Sequence, residues 1–300
     1  MTNNNWNAQD IPEQKEKTVI ITGASSGLGK EATRVLAKKN ATIIMAVRNT
    51  KKAETVANEI RNEFPNALLD IRTLDLGSLD SVRSFANDII ADYRNLDILI
   101  NNAGVMMTPY SKTKDGFEIQ MGTNHLGHFA LTGLLMPLLL NTKNARVVAT
   151  SSVAHKQGDI NFDDINWESR DYSSSKAYSD SKLANLYFTS ELVKKYKGNK
   201  NSPIFTTAHP GGTNTELGKH MNGFMRLLFK LITQKVEMGT LPTLRAATDL
   251  DAKSGDFFGP NKFYEMKGFP VIVQPNKMAK NEANAKRLWD VSEELTGVKY

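Results

Sequence analysis

Tyr178 and Lys182 stand four residues apart at the start of a stretch where Leu183, Leu186, Tyr187 and Val193 recur at helical spacing. On a helix such a pair shares one face, so a phenol and an ammonium are brought side by side. A phenol alone has a pKa of ~10 and moves protons poorly near neutrality, but a neighbouring ammonium favours the phenolate and draws that value down. Ser151 and Ser152 close the apolar run Arg146-Val147-Val148-Ala149-Thr150 upstream of the pair. Taken alone, Tyr-x-x-x-Lys is also a common surface arrangement. The chain carries a second copy, Tyr172 and Lys176, six residues earlier. Its three intervening serines compete with helix backbone for hydrogen bonds and suit a loop or helix entry. Proton transfer needs a rigid frame, which selects Tyr178 and Lys182.

A second group of residues suits a phosphate ligand. Thr22-Gly23-Ala24-Ser25-Ser26-Gly27-Leu28-Gly29 follows Val19-Ile20-Ile21 and opens a helix-like segment. Glycine lets a backbone turn sharply from strand to helix and bring its N–H groups against a pyrophosphate at the helix N-terminus. The order G-x-x-x-G-x-G departs from the commoner G-x-G-x-x-G, and a glycine turn without a ligand is the lesser alternative. Asn101-Asn102-Ala103-Gly104 closes the run 96–100, as a turn passing close to a cofactor would, or as an ordinary amide-rich turn. Asp75-Leu76 ends a third strand candidate, where the carboxylate can accept from an adenine amino group or cap the helix opening at Gly77-Ser78.

The elements that must position these residues alternate. Strand candidates at 18–22, 42–47, 68–74, 97–101, 145–151 and 203–208 interleave with helix candidates at 28–39, 51–64, 78–93, 115–140 and 176–197. That is the pattern of βαβ units: one α/β domain of Rossmann type, a doubly wound parallel sheet with helices on both faces. Right-handed crossovers put a ligand at the strands' carboxyl ends, and every motif above falls at such an end or on the helix after it. The first seventeen residues read as a polar tail without signal-peptide character. No apolar run approaches the ~20 residues of a membrane span. The chain has no cysteine, which excludes disulfides, thiolate metal sites and cysteine nucleophiles and points to a cytoplasmic setting. Its 38 basic and 32 acidic side chains are scattered, giving a net charge of +6 without the basic stripe of a nucleic-acid binder. Self-association as a homo-oligomer stays open.

In order and approximate spacing, Thr22-Gly-x-x-x-Gly-x-Gly29, Asn101-Asn-Ala-Gly104, Asn124, Ser152, Tyr178-x-x-x-Lys182 and Pro210-Gly211 resemble a short-chain dehydrogenase/reductase. Met121-Gly-Thr-Asn-His-Leu-Gly-His-Phe129, Ser181-Lys-Leu-Ala-Asn185 and the 26-residue interval from Ser152 to Tyr178 resemble its retinol-dehydrogenase-like branch. The resemblance implies that Ser152 hydrogen-bonds the substrate oxygen and that Tyr178 exchanges its proton as hydride moves between nicotinamide and carbon. Lys182 would hold the nicotinamide ribose and tune the phenol, and Asn124 would anchor a water on the proton path. Pro210, Gly211 and Thr215 would fix the carboxamide end. A small carbonyl or alcohol is then the expected substrate, and residues 18–300 form one such domain with a substrate lid at 212–235. Phe224, Met225, Leu228 and Phe229 would give the lid an apolar wall; core packing or a membrane-surface contact fits the same stretch.

Val47 stands where NAD-preferring folds place a carboxylate, and Arg48 follows it, which favours NADP (NADPH), with Lys30 and Ser25 as helpers. His125, His128 and His155 lie near these residues without matching carboxylates and read as core or helix-face histidines, with no metal expected. The alternative from another class is a non-catalytic NADP(H)-binding sensor or scaffold.

Overall fold

The computed structural model describes residues 5–213 and 233–300. Eight strands form one sheet: β1 (Thr18–Thr22), β2 (Thr42–Val47), β3 (Leu68–Thr73), β4 (Ile98–Asn101), β5 (Arg146–Thr150), β6 (Ile204–Ala208), β7 (Phe257–Lys262) and β8 (Lys267–Ile272). Their order is β3-β2-β1-β4-β5-β6-β7-β8. Neighbours run parallel from β3 to β7, and β8 pairs antiparallel on the edge. The connection from β3 must cross over β2 and β1 to reach β4, so a crevice opens at the carboxyl ends of β1 and β4.

Alternation along the strands feeds two apolar layers. Val19, Ile21, Ile43 and Met45 pack with the buried faces of α1 (Gly27–Lys38) and α2 (Thr50–Glu63). Ile20, Ile44 and Leu99 face the other way, toward α3 (Leu79–Asp92), α4 (Gly127–Asn141) and α5 (Ser174–Lys195). Two further helices complete the layers: α6 (Val236–Thr248) joins the first through Leu241 and Leu244, and α7 (Glu282–Thr296) joins the second through Trp289.

The strand and helix candidates read from the sequence correspond to β1–β6 and α1–α5, with shifts of a few residues at the ends. The expected helix at 115–140 is interrupted. Its first turn, Ile119–Met121, leads into a π turn, Gly122–Leu126, before α4 begins.

The expected polar tail is corrected by the structure for the residues described. Trp6 and Ile11 are 4% and 1% exposed and sit in the same core as α1 and α6. Between them a short turn, Ala8–Asp10, is closed by a capping box from Asn7. Lys39 donates to the Ile11 carbonyl at 2.5 Å, and the Gln14 N–H to the Lys39 carbonyl at 2.8 Å. Average polarity hid two large apolar anchors. Among the described residues, no helix is long and apolar enough to cross a membrane.

Candidate active site

At the carboxyl ends of β1 and β4, a backbone and hydroxyl lattice holds the glycine turn. The Thr22 hydroxyl accepts the N–H groups of Asn102 and Ala103, both at 2.9 Å, while the Asn102 side chain donates to the Thr22 carbonyl at 2.8 Å. Gly23 turns at φ +69°, with its missing Cβ position 3.1 Å from Ala103. A Cβ on Gly29 would lie 2.3 Å from the Gly23 carbonyl oxygen, so only hydrogen fits where α1 crosses the turn. Ser26 occupies the N-cap of α1 in extended geometry, with no side-chain hydrogen bond to the helix. The first N–H groups of a helix are unsatisfied and carry its positive end, a geometry that suits an anion.

Gly23, Ser26, Asn102 and Ala103 line a cavity of about 390 Å³ with Gly27, Leu28, Arg48, Gly104, Val105, Met106, Thr108, Ser151 and Pro210. Tyr178 and Lys182 from α5 and Thr150 from β5 close its inner end. Tyr178 is 7% exposed and Lys182 is 4% exposed, with the ammonium 5.7 Å from the phenol ring centroid. Lys182 Nζ donates to the Thr150 carbonyl at 3.1 Å, and Asn185 Nδ2 donates to the same oxygen at 2.9 Å. Ser151 Oγ donates to the Lys182 carbonyl at 2.9 Å, tying β5 to α5. The Thr150 hydroxyl is buried without a partner among the described residues.

Burial, rather than the ammonium, governs the phenol. It pushes the Tyr178 pKa above its ordinary value, and the Ser152 hydroxyl offsets this only in part. The same burial brings Lys182 down to about 8. Burial of the phenol thus acts against the downward shift expected from Lys182.

The duplicate pair is committed elsewhere. Tyr172 precedes the first residue of α5, and its hydroxyl donates to Glu118 Oε1 at 2.8 Å while accepting from Gln120 Nε2 at 2.8 Å. Burial and the Glu118 carboxylate both raise its pKa. Lys176 pairs with Asp180 at 3.0 Å.

Other expected residues fall into place unevenly. Asn124 sits in the π turn, with Nδ2 donating to the Val105 carbonyl at 3.0 Å and to Ser181 Oγ at 2.9 Å, and Oδ1 accepting the Val105 N–H at 2.8 Å. Both its donors are thus taken, and it braces the cavity wall rather than offering a free amide to water. Ser152 caps the turn Val153–Gln157 through the Ala154 N–H at 3.2 Å. Asp75 Oδ1 accepts the Gly77 N–H at 3.0 Å, while Ser78, not Asp75, caps α3. Leu76 is buried in the core, and neither Asp75 nor Leu76 is part of the cavity lining. Ser25 is half-buried within the turn, and Lys30 is paired with Glu59. Gly211 adopts φ +65° beside Pro210. Thr215 and most of the expected lid lie outside the described residues.

Sequence reading missed a relay beneath the turn. His128 Nδ1 lies 3.1 Å from the Asn124 carbonyl and Nε2 lies 2.9 Å from the Thr22 hydroxyl, linking the π turn to the phosphate-type turn. Histidines 125, 128 and 155 are all buried core residues. The i, i+4 spacing of Asn124 and His128 was the available signal. A larger depression of about 840 Å³ lies elsewhere, between Trp6, α6 and β8; its Arg245 is paired with Asp249 at 2.8 Å, and its lining holds no tyrosine–lysine pair.

The family profile described as short chain dehydrogenase matches residues 17–225. Retinol dehydrogenase 12 from Homo sapiens is 44% identical over 290 residues, covering 95% of this chain and 87% of that protein. Retinol dehydrogenase 13 from Homo sapiens is 41% identical over 292 residues, covering 94% and 85%. Among solved structures, an uncharacterized protein from Mycobacterium Paratuberculosis superposes with a TM-score of 0.84 at 42% identity, covering 99% of each chain. A short chain dehydrogenase from Escherichia coli CFT073 complexed with NADPH gives 0.63 at 26% identity, covering 82% of this chain and 96% of that one. The chain belongs to the short-chain dehydrogenase/reductase family, whose oxidoreductases use a nicotinamide cofactor. Within that family it falls in the retinol-dehydrogenase-like branch.

Proposed function

We propose that the chain is an NADP(H)-dependent oxidoreductase acting on the carbonyl or alcohol carbon of an apolar small molecule, with Tyr178 as proton donor and acceptor. The observation that carries this reading is the placement of Tyr178 and Lys182 at the inner end of the cavity that begins at the glycine turn. The cavity fits a dinucleotide: the turn leaves helix N–H groups for a pyrophosphate, and the unpartnered Thr150 hydroxyl waits at the far end. Arg48, exposed at the end of β2 and lining the mouth, would meet a 2′-phosphate with a charge-assisted bond.

Bound nicotinamide would supply or accept the hydride. Tyr178, kept protonated by burial, gives its proton to the substrate oxygen in reduction and must lose it first for oxidation. Ser152 orients that oxygen, and Lys182 binds the ribose. Pro210 and Gly211, with Thr215 beyond the described residues, hold the carboxamide. Leu28, Val105 and Met106 make the cavity wall apolar, in keeping with the retinol named in the relatives.

Fluorescence titration tests the cofactor assignment. NADPH should bind more tightly than NADH, and Arg48→Ala should narrow the difference because the arginine's contact exists only with the extra phosphate. Equal affinities in the parent protein would remove the NADP assignment.

A further inference from the structure

We propose that Glu265 is a positioning residue for the nicotinamide end of this site, holding the Pro210-Gly211 loop and the Ser152 turn in register through His209 and Lys156. The inference rests on the oxidoreductase reading above for its catalytic consequence, and on geometry alone for the linkage.

Glu265 reaches two segments that the reaction would need together. Its Oε1 lies 3.0 Å from Lys156 Nζ, in the turn Val153–Gln157 that Ser152 caps. Its Oε2 lies 3.1 Å from Nε2 of His209, the fully buried residue that precedes Pro210, although the two are not aligned as a hydrogen bond. The imidazole's proton can be placed. His209 Nδ1 accepts the Gly211 N–H at 3.3 Å, so in the neutral ring the hydrogen is on Nε2 and faces the carboxylate. A carboxylate 3.1 Å from Nε2 favours, by its charge, the tautomer in which the ring holds the loop by its other nitrogen. His155 adds a parallel tie, donating from Nδ1 to the Ser152 carbonyl at 2.6 Å. Its ring packs on Phe257 at 5.5 Å between centroids, and the His209 ring packs on the same Phe257 at 5.1 Å.

The backbone that delivers Glu265 is strained. Phe263, Tyr264 and Glu265 are consecutive non-glycine residues at φ +50°, +54° and +67°, in the hairpin between β7 and β8. The Met266 N–H closes this left-handed turn onto the Lys262 carbonyl at 3.1 Å. Phe263 and Tyr264 are 71% and 97% exposed, so their burial does not compensate the strain. What the turn achieves is contact with the loop. The Met266 carbonyl accepts the Gly212 N–H at 2.9 Å, and a Cβ on Gly211 would stand 2.5 Å from that oxygen. Strained backbone persists where the surroundings over-determine it, and it concentrates where geometry serves function.

The test compares Glu265→Gln and Glu265→Ala with the parent full-length chain. In ligand-free protein, imidazole nitrogen NMR should report the Nε2–H tautomer of His209 in the parent and a redistribution in Glu265→Ala. Amide exchange at 152–157 and 210–212 should accelerate in that variant while the rest of the sheet is unchanged. Binding of 2′,5′-ADP, which carries only the adenosine half of the cofactor, should stay at the parent value. Turnover with NADPH and a carbonyl substrate should fall about ten- to a hundredfold in kcat, as displaced reacting groups do, with Glu265→Gln between the two because it keeps the side chain's length without its charge. Parent-like tautomer, exchange and kcat in Glu265→Ala would overturn the proposal, as would a uniform loss of melting temperature and 2′,5′-ADP binding in both variants, which marks a merely structural residue. A parent chain that turns over no carbonyl or alcohol would defeat the oxidoreductase reading instead, while the ligand-free tautomer and exchange would still decide the role of Glu265.

Discussion

Lys182 shows what burial does to a single charged residue. The residue is 4% exposed, and its ammonium donates to one carbonyl and has its pKa lowered from 10.5 to about 8 by burial. Keeping that charge inside costs about 3 kcal/mol at neutral pH, taking 1.36 kcal/mol per unit. The sign follows from proton counting: between about pH 8 and 10.5 the unfolded chain holds a proton that the folded chain has released, so folding stability rises with pH across that window. Lys182→Met should therefore stabilise the fold by roughly 1–3 kcal/mol in urea unfolding at neutral pH while abolishing turnover. A destabilised variant would mean that the ammonium is better solvated than its burial implies. The parent's reductase activity should also decline as pH rises through about 8, where Lys182 loses its charge, and alcohol oxidation should be limited by the proton that burial keeps on Tyr178. The sequence made the pair visible through its spacing, but not the sign of the phenol's shift. That depended on how deeply α5 is buried, and helix periodicity describes a face without measuring its depth.

The glycine turn and the π turn carry the site at the scale of elements. Gly29→Ala should gain about 1 kcal/mol of helix propensity, yet the new methyl would stand 2.3 Å from the Gly23 carbonyl and 2.7 Å from Asn102 Nδ2. Overpacking of this kind costs about 1–3 kcal/mol, so the variant should unfold at lower urea and bind cofactor more weakly. Unchanged affinity would show that the turn is not the phosphate cradle. The turn was legible because glycine has few reasons to recur at that spacing between a strand and a helix. The π turn was not. Asn124 looked like an amide stranded in a helix, and only tertiary contacts with Val105 and Ser181 show why the backbone loosens there. Strands β7 and β8 and helices α6 and α7 were also left unassigned by the sequence reading. Gly268 and Pro270 interrupt the strand pattern of β8. The buried face of α7, Ala285, Leu288, Trp289 and Ser292, needs the aromatic groups of α4 and α5 opposite it to make sense.

For the whole molecule, buried imidazoles set the acid limit. Burial holds His125 at about 3 and His128 and His155 at about 4, all below the ordinary 6.5. Below pH 6.5 the unfolded chain takes up protons that the folded chain refuses, so stability falls as pH drops from there toward 4. Glu118 and Asp180, pushed up by burial, work in the opposite sense over the lower part of this window. Each net proton is worth about 1.4 kcal/mol per pH unit, and urea midpoints between pH 7 and 4.5 should fall steadily. Flat midpoints would place the imidazoles in contact with water. The global topology was readable because β1–β6 and their helices are regular and local. Trp6 was not, since one aromatic in a polar run reveals its burial only when the partners on α6 are known. At all three scales the proposed reading assigns proton transfer to Tyr178 and not to Tyr172. Its most direct test is steady-state turnover of apolar aldehydes and their alcohols, followed by nicotinamide absorbance with NADPH and NADP, for the parent, Tyr178→Phe and Tyr172→Phe. The account predicts an active parent, a Tyr178→Phe variant that binds NADPH normally yet has lost turnover, and a Tyr172→Phe variant that keeps most of it. An active Tyr178→Phe beside a dead Tyr172→Phe, or a parent that binds NADPH and turns over nothing, would contradict it.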